Sequence, residues 1–357
     1  MNLNPIRLPA EWEPQSAVML TWPHPQSDWL PILDEANKTY LEITRKILNY
    51  ADVLIVAHPE NKAEIDQAVN TLNHQSPHFR AYTYAIASDD TWSRDHGPLC
   101  VLNHDKPQLL DFEFNGWGNK YPSGQDNLIN QNLKAQNAFG DTTLLPHAFV
   151  LEGGAIESNG EGCLLTTSAC LLNPNRNPTL TKAQIESQLT NQLGASKVLW
   201  LDHGYLAGDD TDSHIDTLAR FAPDNTIVYV TCNDKNDEHF SALQAMETQL
   251  RQLTNQNNEP FRLIPLPWPD AIYDAQQARL PATYANFLIC NKAVLLPVYG
   301  VKQDPLAIKQ LQLAFPDHDI CPINCRTLIQ QHGSLHCITM QLPTGSVSLK
   351  ESHQNEI

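Results

Sequence analysis

Pro31-Ile-Leu-Asp-Glu-Ala-Asn-Lys-Thr-Tyr-Leu-Glu-Ile-Thr-Arg-Lys-Ile-Leu-Asn-Tyr50 runs directly into Ala51-Asp-Val-Leu-Ile-Val-Ala57. In the first part Ile32, Leu33, Ala36, Tyr40, Ile43 and Ile47 fall close to a three-four spacing, which predicts a helix with one apolar face. In the second, Val53–Ala57 is a short run of branched apolar residues, which predicts a strand. The same two patterns alternate along the chain. Further short strands are expected at Ala17–Trp22, Ala81–Ile86, Leu99–Leu102, Leu109–Phe114, Leu144–Val150, Cys163–Thr167 and Val198–Leu201. Others follow at Ile227–Cys232, Leu263–Leu266, Phe287–Cys290, Val294–Val298 and Leu335–Leu342. Helices are expected at Thr181–Leu193, with Thr181 as cap and Gly194 as stop, around Phe240–Leu253, and at Pro305–Phe315. Strand pairs alternating with single helices indicate an α/β fold. Thr254–Pro260 reads as a loop. No linker or sequence repeat divides the chain, so residues 1–357 are expected to form one domain.

Composition limits the function. The chain has 357 residues and is 41% hydrophobic, enough to bury a substantial core. Its 23 basic residues face 40 acidic ones, a net charge of −17, so nucleic acid and anionic membrane surfaces are poor partners. A cationic ligand suits that balance. The eight cysteines contain no C-x-x-C pair, which argues against zinc-ribbon and thioredoxin chemistry. The first residues lack the apolar core of a signal peptide, and no run reaches the length of a membrane span. These features predict a soluble cytoplasmic protein with reduced thiols. The sequence leaves a homo-oligomer open.

Four stretches carry candidate chemistry. In Gln331-His-Gly-Ser-Leu-His-Cys337, small residues at 333 and 334 open a turn before the Leu335–Leu342 strand. Cys337 therefore sits where a turn meets a rigid strand, as a nucleophile would, although a buried core cysteine is the commoner reading. Ser88–Pro98 packs Asp89, Asp90 and Asp95 with Arg94 and Trp92. Those carboxylates fit turns and ion pairs, but a carboxylate beside a flat ring also seats a planar cation. Glu152-Gly-Gly154 follows an apolar strand. It reads as a polar turn, or as a place where a ligand or another backbone comes close. In Asp209–Asp216, His214 and Asp216 are two apart and share a face if the segment is extended. This loop offers metal-ligand types, yet its spacing matches neither a calcium loop nor a zinc helix. Together the stretches supply a thiol, a histidine and several carboxylates, a set that suits a guanidinium.

These blocks resemble the agmatine deiminases, in the peptidyl-arginine deiminase-like branch of the guanidine-modifying enzymes. The resemblance spans nearly the whole chain. It includes Leu8–Pro14, Thr91–Pro98, Asn115–Tyr121, Glu152–Gly154, Leu164–Thr167, Asn173–Pro178, Asp209–Asp216 and His336–Thr339. It implies a pseudo-fivefold α/β propeller of ββαβ-like units around a central site. It also implies hydrolysis of agmatine to N-carbamoylputrescine and ammonia through an amidino-cysteine, on a route to putrescine. Cys337 matches the nucleophile and His214 the general acid and base. Asp95 and Asp216 match the guanidinium clamp, and Glu152 the acid that orients the histidine. Trp92 and Asp210 would line the substrate slot. A protonated His214 and the bound cation would both favour the thiolate. No metal and no organic cofactor is implied, and the expected partner is a small cationic guanidino compound. A deiminase of free or peptidyl arginine, an amidinotransferase, and a metal-binding or non-catalytic member are the alternatives. Two blocks depart from the family pattern. Ser213-His-Ile-Asp216 stands where Gly-His-Val-Asp is usual. His332-Gly-Ser precedes Leu-His-Cys337 where a glycine run is usual.

Overall fold

The structure is a computed structural model and describes residues 6–349. In chain order its strands are β1 (Ile6–Arg7), β2 (Gln15–Thr21), β3 (Asp52–Ala57), β4 (Ala81–Ala85), β5 (Leu99–Asn103) and β6 (Lys106–Glu113). Next come β7 (Leu144–Val150), β8 (Ile156–Ser158), β9 (Cys163–Thr167), β10 (Lys197–Leu201), β11 (Ala219–Ala222) and β12 (Thr226–Val230). The last are β13 (Arg262–Leu266), β14 (Leu288–Cys290), β15 (Ala293–Val298), β16 (Asp319–Asn324) and β17 (Thr339–Pro343). They form five sheets with helices between their strands, an α/β fold.

The sheets share one plan. Two consecutive strands pair antiparallel, and a third joins parallel: β5-β6 then β7, β8-β9 then β10, β11-β12 then β13, and β14-β15 then β16. A parallel partner must be reached by a crossover, and helices supply it. Lys182–Leu193 joins β9 to β10, Phe240–Leu250 joins β12 to β13, and Asp304–Ala314 joins β15 to β16. The remaining sheet has the same plan but is assembled from both ends of the chain. The C-terminal β17 pairs antiparallel with β2, and β3 follows in parallel through the helix Leu33–Ile47. The last strand thus completes the first unit.

Local sequence explains these elements. The helix Leu33–Ile47 buries Ala36, Tyr40, Ile43 and Ile47, with Asp34 and Glu35 in its first turn and Arg45 and Lys46 in its last, matching the helix dipole. Thr181 forms a reciprocal capping box with Gln184, and Gly194 ends that helix at φ 74°. Ala17–Leu20 of β2 and Val53–Ala57 of β3 are apolar because both faces are covered. Val18, Leu20, Val53 and Ile55 enter one core, while Ala17, Met19, Leu54 and Val56 enter the other. Thr254 bridges Pro260 across the expected loop.

Two expectations need correction. The strand drawn from Leu335 starts only at Thr339. Residues 335–338 turn instead, closed by Thr339 N–H donating to His336 O at 3.0 Å and Thr339 Oγ1 donating to Leu335 O at 3.2 Å. The segment holding His214 and Asp216 is not extended, because Ile215–Thr217 is a single 3-10 turn. Four strands were also missed. β1, β8 and β11 are short, and β8 and β11 carry a charge, while β16 contains Pro322.

The shared plan places five short turns in equivalent positions, each just before the first strand of an antiparallel pair. They are Ser93–His96 before β5, Gly153–Ala155 before β8, Ile215–Thr217 before β11, the segment 283–286 before β14, and the turn 335–338 before β17. The turns touch in a closed circuit. Gly154 N–H donates to Asp95 Oδ1 at 3.0 Å. Gly154 also lies against His214 and Asp216. Asn286 Nδ2 donates to Asp216 Oδ2 at 3.2 Å, Cys337 N–H donates to Asn286 Oδ1 at 3.3 Å, and Arg94 N–H donates to Cys337 O at 3.0 Å. Among the described residues, no helix is long and apolar enough to cross a membrane.

Because β17 anchors the turn that carries Cys337 and closes this circuit, its packing should set stability. Leu342 is fully buried opposite Ala17. Leu342→Ala is expected to cost about 3 kcal/mol in denaturant unfolding. A cost below about 1 kcal/mol would mean that the β17–β2 seam is not part of the cooperative unit.

Candidate active site

Four of the five turns, all but Gly153–Ala155, contribute residues to the lining of a cavity of about 190 Å³. Cys337, Asn286, Trp92 and Trp117 are among its lining residues. Its wall carries the carboxylates of Asp28, Asp90, Asp95, Asp209 and Asp210, and no Lys or Arg among the described residues. His214, Asp216 and Glu152 are buried beside it and are not part of that wall.

Asn286 fixes the thiol. Its Oδ1 accepts from the backbone N–H groups of His336 at 2.9 Å and Cys337 at 3.3 Å, and lies 3.4 Å from Cys337 Sγ. Cys337 Sγ is also 4.0 Å from Asp216 Oδ2. Burial pushes the thiol well above its ordinary pKa, and the charges of Asp216 and Asp95 push it further. An unliganded site therefore holds Cys337 as the thiol.

The two clamp candidates are biased in opposite directions. Asp95 accepts from Trp117 Nε1 at 2.9 Å and from Gly154 N–H at 3.0 Å, but has no cationic partner. Burial, then Asp216, then Glu152 hold its carboxyl well above the usual range. Burial also pushes Asp216 up, but the His336 hydrogen bond at 2.8 Å and neighbouring positive charge outweigh it, so its carboxyl lies below the usual range. Asp216 Oδ1 makes no hydrogen bond within the protein.

His214 faces this pair, with Nδ1 3.6 Å from Asp95 Oδ1, while Nε2 has no hydrogen-bond partner. Burial takes its pKa down to about 3, against the opposing pull of Asp216. The expected protonated imidazole is therefore corrected: in the free site His214 is neutral at pH 7, because a second buried charge is too costly. Glu152 does not hydrogen-bond it. Both Glu152 oxygens accept from Arg176 Nε, at 2.9 and 3.2 Å, although Glu152 and a His214 ring nitrogen come within 4.8 Å. Arg176 also pairs with Asp212 and so stays out of the cavity wall.

The glycines of Glu152-Gly-Gly154 have a steric purpose. A Cβ on Gly153 would lie 2.2 Å from Arg94 O, and one on Gly154 would lie 2.6 Å from His214 Nδ1 and 2.8 Å from Asp95 Oδ1. Both departures from the family pattern adopt left-handed backbone, Ser213 at φ 64° and His332 at φ 66°, which glycine takes without strain. Asp210 lines the cavity, and its Oδ2 accepts from Tyr121 OH at 2.8 Å.

The acidic loop spends its carboxylates on protein donors. Asp209 accepts from Thr211 and Ser213, and Asp212 pairs with Lys120 and Arg176. Two buried groups do bring metal-ligand atoms within 4.8 Å, Glu152–Cys170–His214 and Glu11–Glu157–His336. Each already holds a guanidinium, Arg176 in the first and Arg220 in the second. A metal cation would have to displace it.

Sequence reasoning missed Asn286, Trp117, Glu11, Glu157, Arg220 and the role of His336. Arg220 alone left a local signal, a charge inside the apolar run Leu218-Ala-Arg-Phe-Ala222.

Gly154→Ala should lower kcat/KM by about a hundredfold or more while leaving the far-ultraviolet circular dichroism unchanged, because the new methyl group displaces His214 or Asp95. Near-normal kinetics in that variant would show that the two groups need not sit where the glycine lets them.

Known proteins with this geometry are similar over nearly their full length. Agmatine deiminase of Medicago truncatula is 32% identical, covering 95% of this chain and 96% of that protein. A cysteine-to-serine variant of C. jejuni agmatine deiminase with substrate bound superimposes with a TM-score of 0.88 at 38% identity, covering 94% of this chain and 96% of that one. A Porphyromonas gingivalis structure described provisionally as an arginine deiminase gives a TM-score of 0.90 at 48% identity, covering 96% of this chain and all of that one. The family model of the Porphyromonas-type peptidyl-arginine deiminases matches residues 7–343. With Cys337 and Asp95 lining one cavity, His214 and Asp216 buried beside it, and that match across its length, the chain belongs to the Porphyromonas-type peptidyl-arginine deiminase family.

Proposed function

We propose that this protein hydrolyses agmatine to N-carbamoylputrescine and ammonia through a covalent amidino group on Cys337. The observation that carries this reading is the cavity wall: five carboxylates around a thiol, with no Lys or Arg. A doubly cationic substrate meets opposite charge at both ends. Arginine would bring an α-carboxylate into the same acidic surroundings, where the wall offers no Lys or Arg among the described residues.

The protonation states supply the steps. The guanidinium enters beside Asp95 and Asp216, flanked by Trp92 and Trp117, and brings the positive charge the cluster lacks. That charge lowers the proton affinity of Asp95 and of the Cys337 thiol. Neutral His214 accepts the thiol proton. Sulfur attacks the central guanidinium carbon. His214 returns the proton to the departing nitrogen, and ammonia leaves. Water then adds to the thiouronium carbon and gives a proton to His214. The C–S bond breaks as the new hydroxyl gives its proton to Asp95, restoring the one that Asp95 lost on binding; the thiol is re-formed with the proton from His214, and the product departs with a neutral ureido group. Positioning and charge complementarity carry the rate enhancement. In this reading Glu152, fixed by Arg176, acts on His214 by charge, and Asp210 faces the amine end of the substrate. Residues 1–357 work as one catalytic domain. Its five ββαβ units form a pseudo-fivefold propeller, which the closure of β17 on β2 and the circuit of turns support.

Three outcomes test this reading. Assayed against a panel of guanidino compounds, the protein should yield ureido product from agmatine with kcat/KM at least about a hundredfold above free arginine. Equal turnover of arginine or of a peptidyl-arginine ester would move the substrate assignment and leave the chemistry standing. Cys337→Ala should fold normally and lose at least about four orders of magnitude in kcat, and wild-type protein quenched during turnover should carry one amidino adduct on Cys337 by mass spectrometry. Substantial turnover by a folded Cys337→Ala protein would remove covalent catalysis. Agmatine binding to Cys337→Ala should tighten with rising pH. Asp95 is raised in the free site and the bound cation favours its ionised form, so binding expels a proton in the window above the ordinary carboxylate range. A calorimetric affinity flat from about pH 5 to 8 would mean that Asp95 is ionised before substrate arrives.

A further inference from the structure

Beside the cavity, Asp216 is backed by a chain of buried polar groups to which the reaction assigns no role. His336 Nδ1 lies 2.8 Å from Asp216 Oδ2. At the other end of the ring, Nε2 lies 2.9 Å from Glu11 Oε2 and 3.0 Å from Arg220 Nη2. Arg220 in turn binds Glu11 Oε2 at 2.6 Å, reaches Glu157, and donates to the carbonyls of Phe287 at 2.6 Å and Ala285 at 3.1 Å. Glu11 Oε1 accepts from Ile289 N–H at 2.9 Å. Every member is at least nine-tenths buried.

We propose that His336 is a positioning residue for Asp216: its ring, clamped at Nε2 by Glu11 and Arg220, holds Asp216 Oδ2 through Nδ1 and leaves Oδ1 free for the substrate guanidinium. The inference rests on the deiminase reading above. An ionised carboxylate only accepts, so at Asp216 the ring is the donor through Nδ1–H, while Nε2 meets the Glu11 carboxylate and the Arg220 guanidinium together. Asp216 Oδ1 is buried without a partner, whereas Oδ2 takes both His336 and Asn286. One oxygen is thus committed to the scaffold and the other is left for a ligand. Such division fixes a carboxylate more firmly than burial alone.

The contact also separates Asp216 from its twin. The titratable groups facing Asp216 are His336 and Cys337 from the turn before β17, His214 and Asp209 from its own loop, Asp95 and Arg94 from the turn before β5, and Arg220 from β11. Of these side chains only His336 gives Asp216 a hydrogen bond from a nitrogen. Asp95 takes its hydrogen bonds from the Trp117 indole and the Gly154 backbone, neither of which can carry a charge, and its carboxyl moves the other way. His336 therefore makes Asp216 the carboxylate already ionised when substrate arrives.

Two substitutions divide the ring's contacts. His336→Gln reaches the Nε2 position and keeps Glu11 and Arg220, but withdraws the donor from Asp216. His336→Asn places its amide at the Nδ1 position and keeps Asp216, but lets go of Glu11 and Arg220. Each is assayed with agmatine across pH, with thermal unfolding in parallel. His336→Gln is expected to lose roughly ten- to a hundredfold in kcat/KM, the scale of one hydrogen bond to a charged group. The acid limb of its kcat/KM profile should move to higher pH and steepen, because Asp216 now titrates alongside Asp95. His336→Asn should keep the wild-type limb even if its melting temperature falls. A His336→Gln profile that overlays wild type overturns the proposal, as does a His336→Asn profile with a displaced limb, which also decides the matter should His336→Gln not fold. A wild-type protein that converts no guanidino compound removes the deiminase reading and this inference with it. A wild-type protein active on agmatine with unmoved variant profiles removes the inference alone.

Discussion

Arg220 is the interaction on which the rest of the structure depends. A guanidinium with no solvent exposure survives only if its donors find acceptors and its charge finds counter-charge. Here those partners come from far apart in sequence: Glu11 ahead of β2, Glu157 on β8, the carbonyls of Ala285 and Phe287 before β14, and His336 before β17. Its guanidinium also lies over the Phe287 ring, 4.6 Å from the centroid. Removing any partner leaves a buried charge incomplete, so these segments must meet in one arrangement. That need specifies which turns come together, something that apolar sheet packing alone does not do.

The grouping of the candidate site residues follows from that meeting. Each ββαβ unit contributes the turn before its antiparallel pair, and each turn is too short to reorient independently. Asp95, Gly154, Asp216, Asn286 and Cys337 are therefore placed by sheet geometry and not by flexible loops. The rest of the electrostatics is set by what stands behind each group. Asp216 has His336 behind it and lies low. Asp95 has only neutral N–H donors and lies high. Glu152 has Arg176, which balances a charge that would otherwise add to the repulsion around His214. Identical side-chain types acquire different protonation through their neighbours.

How much of this the sequence disclosed depends on how local the cause was. Every expected strand has a counterpart, because apolar runs bounded by Gly, Pro, Asn or Asp are local signals. The Thr181 cap and the Gly194 stop were legible for the same reason. Cys337, Asp95, Asp216, His214 and Glu152 were legible as blocks, and the structure gathers them. Where the reading failed, the cause lay outside the segment. The strand at Leu335 begins late because Thr339 folds back on Leu335 and His336. The charge of His214 was misjudged because its depth of burial is a tertiary fact. Asn286 was invisible, since an asparagine in Thr283-Tyr-Ala-Asn286 looks like any turn residue until Cys337 is seen beside it.

The Arg220 cluster and the cavity present two different surroundings for a guanidinium, and the difference between them bears on why the cavity is the candidate binding site. Around Arg220 the carboxylates of Glu11 and Glu157 meet a permanent cation, and that cluster is charge-paired before any ligand arrives. At the cavity, Asp95, Asp216 and the Cys337 thiol face one another with no resident cation between them, and an Asp216 oxygen and a His214 nitrogen are left without partners. Burying such groups unpaired costs folding free energy, which the surrounding scaffold must offset. A cationic, planar ligand relieves that cost on arrival, so part of its binding energy is stored in the empty site as repulsion and desolvation. The permanent ion cluster beneath keeps the site from relaxing that repulsion by moving its carboxylates apart.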